Sequence, residues 1–304
     1  MDLLARIAQG PLLLDGGMGS ELMRHGLSPG ECPEEWNVTH AGAVAAIHHA
    51  YFAAGSDIVN TNTYGGTRLK LNAYGFGGRA VELNQAGAKL ACQVRDQSFP
   101  GRLVAGDIGP CGDLLAPMGT AGEDDLSAAL TEQAAALVAG GVDFINIETM
   151  FDLTEARLAV EAARAVAGDR PVLASMAFRP AAKGYRTMMG VDPSTAVAEL
   201  RAAGAALVGC NCEITAEAMS DLVRELAELS GGVTYAQPNA GQPRLEEGGT
   251  VYDESPEHFA ATVAHFVPSG AGIVGGCCGT TPAFIAALAA ALGRGRRRSR
   301  RQLM

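Results

Sequence analysis

The sequence predicts a single α/β domain, a (β/α)8 TIM barrel, from three observations. Its 304 residues suit one barrel of this kind. Eight short apolar segments recur along the chain with helical patterns between them, which implies a parallel sheet, and eight repeats favour closure. No shift in composition marks a second domain. We therefore assign residues 1–293 to the barrel and 294–304 to a basic tail, six of whose residues are arginines, which we expect to be disordered.

The eight candidate strands begin as nearly continuous apolar runs, as expected for strands buried on both faces. Most then end in Gly, Asn, Asp, Glu, Thr or Cys, which predicts a polar rim at the carboxyl end of the barrel. In chain order they are LLLDGG (12–17), DIVNTNTY (57–64), LVAGDIGP (103–110), FINIET (144–149), PVLASMAF (171–178), LVGCNC (207–212), VTYAQPN (233–239) and GIVGGCCG (272–279).

The intervening segments carry helix start signals. We expect N-caps at Thr39, Asp192, Thr215 and Ser255, because each precedes a run with helical periodicity. His48 lies in the first of these helices, away from the rim, and is expected to be a surface or packing residue rather than a ligand.

Composition excludes several classes of function. The net charge of −10 argues against a general nucleic-acid binder. No apolar run approaches the roughly 20 residues that span a bilayer, and the start of the chain lacks the pattern of a signal peptide. We therefore expect a cytoplasmic protein. Seven cysteines in a reducing compartment favour metal binding or catalysis over a disulfide framework.

Three cysteines stand at predicted strand ends. Cys212 ends the sixth strand, and Cys277 and Cys278 end the eighth. The carboxyl ends of barrel strands meet at one mouth, and the glycines around the tandem pair let the backbone bend, so the three thiols can converge. Three thiolates suit Zn²⁺ and leave its fourth position open. A vicinal disulfide and three buried structural thiols are the alternatives.

The other cysteines need no functional role. Cys210 shares a strand face with Cys212 but lies about 7 Å deeper, so we assign it to the core. Cys32, Cys92 and Cys111 lie outside the strand ends and behave as small hydrophobic residues. A zinc ion with three thiolates is a poor activator of water but binds one more sulfur, which remains nucleophilic as a thiolate. The chemistry that this favours is alkyl transfer to a thiol.

Seven segments together resemble the homocysteine S-methyltransferase family, and the likeness covers roughly residues 10 to 293. They are LLDGGMGSEL, NTNTYGG, GDIGP, NIETM, GCNC, PNAGQP and GGCCGTTP. The resemblance implies a (β/α)8 barrel whose single zinc holds homocysteine as a thiolate. Its zinc ligands would be Cys212, Cys277 and Cys278, the three that the strand-end argument selects.

The resemblance also implies how the rest of the substrate is held. Asp15 and Glu148 would hold the amino group of homocysteine, and the amides of Gly16 and Gly17 would lie near its carboxylate. Asn239 either directs its amide oxygen at the zinc when substrate is absent or forms a turn.

Thr61, Asn62 and Asp107 are further rim residues. They either orient the substrate or form hydrogen bonds with the backbone groups of the loops.

The methyl donor is left open by the sequence. It is either a methylcorrinoid on a separate partner protein or a small donor such as S-methylmethionine, S-adenosylmethionine or betaine. Betaine is disfavoured because Trp36 and Tyr64 are the only obvious candidates for an aromatic cage. The alternative function is a non-catalytic homocysteine- and zinc-binding subunit of a larger methyltransferase complex. A zinc hydrolase is disfavoured because no histidine-rich ligand set or general base is placed beside the proposed metal.

Overall fold

A computed structural model describes residues 3–246 and 249–294. Eight parallel strands lie side by side in one sheet that curls into a nearly closed barrel, so the predicted fold is confirmed. The strands are β1 (Leu12–Leu13), β2 (Ile58–Asn60), β3 (Leu103–Ile108), β4 (Phe144–Met150), β5 (Val172–Met176), β6 (Leu207–Thr215), β7 (Thr234–Asn239) and β8 (Ala271–Val274).

Each strand is followed by a helix that packs on the outside of the barrel. These helices are α1 (Ala41–Ala54), α2 (Ala80–Ser98), α3 (Glu123–Gly140), α4 (Leu153–Ala167), α5 (Pro193–Ala202), α6 (Ala216–Leu229), α7 (Pro256–Ala264) and α8 (Pro282–Ala291). Short helices precede or interrupt the loops at Leu3–Ile7, Met18–Arg24, Trp36–Thr39 and Arg68–Asn72, and 3-10 turns form at Pro33–Glu35 and Gly77–Arg79. Two hairpins pair Arg179–Pro180 with Tyr185–Arg186, and Arg244–Glu246 with Gly249–Val251.

Most of the predicted helix starts are confirmed. The side chains of Asp192, Thr215 and Ser255 each accept a hydrogen bond from the backbone N–H three residues later, in the first turn of the helix that follows. The prediction at Thr39 was wrong. Its hydroxyl donates back to the carbonyl of Glu35 at 3.1 Å and so belongs to the short helix before it, and α1 begins two residues later.

The inner face of the barrel changes from apolar to polar along each strand. Alternate residues of a strand share a face, and Leu103 and Ala105 of β3 belong to an apolar cluster at the amino end of the barrel interior. The next residue of that face is Asp107. On β4 the same alternation runs from Phe144 to Glu148. The fold thus delivers polar side chains to the mouth and apolar ones to the floor.

The alternate residues of each strand, whose side chains point away from the barrel interior, pack against the helices. Val104 and Val208 lie in this outer core, as does Cys210, which is fully buried and confirms the assignment of that thiol to the core. His48 is also fully buried, so of the two expected roles it has the packing one.

Two carboxylates close the seam between β1 and β2. The backbone N–H of Asp57 donates to the carbonyl of Leu13 at 2.7 Å, and its carboxylate accepts from the Leu13 N–H at 2.9 Å. The carboxylate of Asp15 accepts from the Asn60 N–H at 2.9 Å. Side chains thus provide hydrogen bonds that a continuous strand ladder would otherwise supply.

Asp57 is neutralised by ion pairs with Arg102 and Arg294. Arg294 is the first residue of the predicted tail, and it also donates to the carbonyl of Pro11. Residues 295–304 lie outside the described part of the chain, so the expected disorder of the tail stays a prediction. Across the described ranges, no helix combines the length and apolar character needed to cross a membrane.

Candidate metal and substrate site

The structure brings the three strand-end cysteines together. The sulfurs of Cys212, Cys277 and Cys278 all lie within 4.8 Å of one another, and those of Cys212 and Cys278 are 3.8 Å apart. All three are free thiols and are partly buried. The convergence expected from the sequence is therefore present.

Left-handed backbone places Cys212 at the mouth. In a regular strand its side chain would face the helices, as that of Cys210 does. Instead Cys212 and Glu213 have φ of 59° and 61°, and the register between β6 and β7 shifts at this point. Such a conformation costs roughly 1–2 kcal/mol per non-glycine residue. This strained backbone lies at the residue whose thiol points into the cavity. A prediction based on regular strand geometry could not include this conformation.

The end of β7 holds the tandem cysteines in place. The N–H of Cys277 donates to the carbonyl of Pro238 at 2.8 Å, and the N–H of Ala240 donates to that of Cys278 at 2.9 Å. The amide oxygen of Asn239 accepts from the Cys278 N–H at 3.1 Å. This contact gives Asn239 a place in the turn, and its expected role as a fourth metal ligand stays a prediction.

The three thiols share their protons unequally. Hydrogen bonds from Cys212 and Cys277 lower the pKa of Cys278, whereas hydrogen bonding to Cys212 and Cys278 raises the pKa of Cys277. A thiolate stabilised by two neighbouring thiols is a ready first ligand, and a bound cation would displace the remaining protons.

The cysteines line a cavity of about 330 Å³ at the barrel mouth. Nine of the ten predicted metal and substrate residues outside the β7 turn line it, and Asp15 is the exception. Those that line it are Gly16, Gly17, Thr61, Asn62, Asp107, Glu148, Cys212, Cys277 and Cys278.

Buried carboxylates without a cationic partner surround the cavity. Burial raises the pKa of Asp107 and of Asp15, and it raises that of Glu148 to about 7. One carboxylate oxygen each of Asp15 and Asp107 is buried without a hydrogen-bond partner in the described chain. No lysine or arginine is among the described residues that line this cavity. The site is therefore built to receive a cation, and an ammonium group fits.

Asp15 and the turn at Gly16 and Gly17 already use some of their hydrogen-bonding groups within the protein. Asp15 is fully buried behind the lining and uses one oxygen in the barrel seam, so its contact with a substrate amino group stays a prediction. The Gly17 N–H donates to the Thr280 hydroxyl at 3.1 Å. A Cβ at Gly16 would lie 2.5 Å from that hydroxyl, so only glycine fits the close approach of this turn to the loop that follows β8.

The remaining rim residues hold loops. The Thr61 hydroxyl accepts from the Asp107 N–H at 3.0 Å and so fixes the backbone beside that carboxylate. The Asn62 amide donates to the carbonyl of Pro33 at 2.7 Å and to Asn37 at 3.0 Å. These contacts support the loop-forming alternative for Asn62, although both residues also line the cavity.

Sequence reasoning did not single out several residues at the site, four of which bear on its chemistry. Thr149, Gln237 and Tyr252 line the cavity, and Asn211 is fully buried beside it. Two of them could have been found from the alternation of side chains along a strand. Asn211 and Gln237 continue the inward-facing positions of β6 and β7 toward the mouth.

Comparison with known proteins agrees with this geometry. The profile of the homocysteine S-methyltransferase family matches residues 12–292. The chain is 33% identical over 307 residues to a methionine synthase of Mycobacterium leprae (strain TN), covering 96% of this chain and 25% of that protein. It is 33% identical over 305 residues to a methionine synthase of Mycobacterium tuberculosis (strain ATCC 25618 / H37Rv), with the same coverage. The chain thus spans about a quarter of the length of these relatives.

A solved structure matches along its whole length. The metallated form of the homocysteine methyltransferase MmuM from Escherichia coli superposes with a TM-score of 0.78 at 25% identity, covering 95% of this chain and 99% of that one. Together with the family match over nearly the whole barrel, this comparison leads to one conclusion: the chain belongs to the homocysteine S-methyltransferase family.

Proposed function

We propose that this chain is a zinc-dependent homocysteine S-methyltransferase that forms methionine. One observation carries the proposal: three converging thiols share a cavity with buried carboxylates that lack a cationic partner. Homocysteine has a thiol for the first group and an ammonium for the second. The family match supports the same substrate.

The thiol cluster fits zinc in its donor type and spacing. A tetrahedral ion with Zn–S bonds near 2.3 Å separates its sulfurs by about 3.8 Å. Cys212 and Cys278 have this separation. Cys212, Cys277 and Cys278 would hold the ion, which supplies a stabilised substrate thiolate at neutral pH.

The chain's own residues orient the rest of the substrate. Glu148 and Asp107 accept hydrogen bonds from the ammonium group, and Asp15 lies buried behind them. The Gly16 N–H faces the substrate carboxylate. Holding both ends fixes the sulfur at the open side of the cavity, where an activated methyl group can approach in line.

The donor is either a small molecule or a methylcorrinoid on a separate protein. The cavity's described lining is acidic and lacks basic side chains, which favours a neutral or cationic methyl donor over an anionic one. The relatives named methionine synthase keep the corrinoid option open, because this chain corresponds to only a quarter of them. A cytoplasmic location is part of the same proposal.

The test is a donor screen on one purified sample whose zinc content is measured in parallel. Homocysteine is supplied with S-methylmethionine, S-adenosylmethionine, betaine or methylcobalamin, and methionine is quantified. We expect at least one donor to support turnover. Homocysteine binding without transfer from any donor would instead support a non-catalytic subunit, and the absence of homocysteine binding would contradict both functions.

A further inference from the structure

We propose that Asn211 is a positioning residue that couples the metal ligands to the carboxylate that binds the substrate. This inference rests on the proposed function. Asn211 lies on β6 immediately before Cys212 and is fully buried. Its side chain reaches three neighbouring parts of the mouth: the end of β4, β5 and the cysteine pair after β8.

Both ends of the Asn211 amide are used. Its oxygen accepts from the Thr149 N–H at 2.8 Å and from the Ser175 hydroxyl at 2.8 Å. Its nitrogen donates to the Thr149 hydroxyl at 2.7 Å and toward the Cys277 sulfur at 3.8 Å. A backbone N–H can only donate, so the oxygen must face Thr149. The amino group is therefore the part that faces the sulfur.

The contact with Thr149 supports a strained turn. Thr149 has a φ of 60°, a conformation that is rare for a β-branched residue and costs on the order of 1–3 kcal/mol. Two hydrogen bonds with Asn211 hold this residue: its backbone N–H donates to the amide oxygen, and its hydroxyl accepts from the amide nitrogen. Thr149 directly follows Glu148, so the turn also sets where that carboxylate lies in the cavity.

The contact with Cys277 acts on the metal site. An N–H donor to a thiolate offsets part of its negative charge and fixes its orientation, and outer partners of this kind typically change metal affinity by roughly 10–100-fold. Cys212 is adjacent in sequence and has left-handed backbone of its own. A single amide thus links two of the three thiols to the position of Glu148.

The sharpest test is Asn211→Asp, measured as metal affinity and as the absorption spectrum of the Co²⁺-loaded protein. Aspartate has nearly the same shape and keeps an oxygen for Thr149 and Ser175, and the Thr149 hydroxyl can donate to it. It replaces the donor facing Cys277 with a negative charge. We expect zinc affinity to fall roughly 10–100-fold and the Co²⁺ ligand-field bands to shift. Homocysteine affinity should also fall.

Ser175→Ala is the matched control. It removes one hydrogen bond to the same amide but leaves the contacts with Thr149 and Cys277. We expect its zinc affinity to stay within about threefold of the wild type. Asn211→Ala provides a second variant, without the new charge, and should lose zinc affinity in the same direction.

Two results would overturn the inference. One is a folded Asn211→Asp protein with wild-type zinc affinity and an unchanged Co²⁺ spectrum. The other is an equal loss in Ser175→Ala, which would indicate a general packing role. Failure of the wild type itself to bind zinc would instead overturn the proposed function, so the two failures can be told apart.

Discussion

Glu148→Gln should weaken homocysteine binding while leaving zinc bound. The substitution keeps the shape of the side chain but removes the negative charge from the cavity. In the wild type, Oε2 of Glu148 accepts a hydrogen bond from the Asn146 amide at 3.1 Å, and the glutamine can keep an acceptor in that place. A hydrogen bond to a charged group contributes about 1.5–3 kcal/mol. That range corresponds to an increase of about 10- to 150-fold in the dissociation constant for homocysteine.

The lower part of this range is expected, because Asp107 remains as a second carboxylate. The assay is isothermal titration of the zinc-loaded protein with homocysteine at pH 8, since burial raises the pKa of Glu148 to about 7. At that pH most of the wild-type carboxylate is ionised. Zinc content is measured on the same samples.

Glu155→Gln is the control. Glu155 is also a buried glutamate, but it lies on α4, accepts from the Cys111 N–H at 2.7 Å and does not line the cavity. Its replacement should leave the affinity for homocysteine unchanged. Equal affinities in wild type and Glu148→Gln, or loss of zinc from the latter, would refute the assigned role.

Three further predictions concern stability and the thiol cluster. Burial lowers the pKa of His48 to about 4, so the unfolded chain binds more protons between pH 6.5 and 4. As the pH falls through this window, the metal-free protein should lose about 3 kcal/mol more of its free energy of unfolding than the His48→Phe variant does. Urea denaturation at several pH values measures both proteins, and parallel pH profiles would contradict the prediction. Ser255→Ala should cost about 1 kcal/mol of stability by the same method through loss of the α7 cap, whereas an unchanged midpoint would argue against the cap. Cys278→Ser should lose zinc on dialysis while circular dichroism stays native, and retention of stoichiometric zinc would count against the ligand assignment.

Much of the fold was predictable because buried parallel strands have a simple signature. Apolar runs that end in polar residues located the strands, and residue type located the caps at Asp192, Thr215 and Ser255. The failure at Thr39 has a local cause, since a threonine hydroxyl can bond backward as well as forward along the chain.

The site was predictable to the extent that it follows from strand ends. The carboxylates of Asp107 and Glu148 lie where regular strand geometry places them, and the three cysteines lie at the strand ends that the sequence located. The left-handed turns at Thr149 and Cys212 were not predictable, because neither residue type favours positive φ. Tertiary contacts impose these conformations, and they decide which side chains enter the cavity.

The most direct test of the central claim is zinc K-edge X-ray absorption combined with metal analysis. We predict one zinc per chain with three protein sulfur ligands, a fourth sulfur when homocysteine is added, and no retained zinc in a Cys277→Ser, Cys278→Ser double variant. Cys92→Ser, which changes a buried thiol outside the cavity, should retain the metal. Zinc bound with no sulfur ligands, or retained in the double variant, would contradict the account.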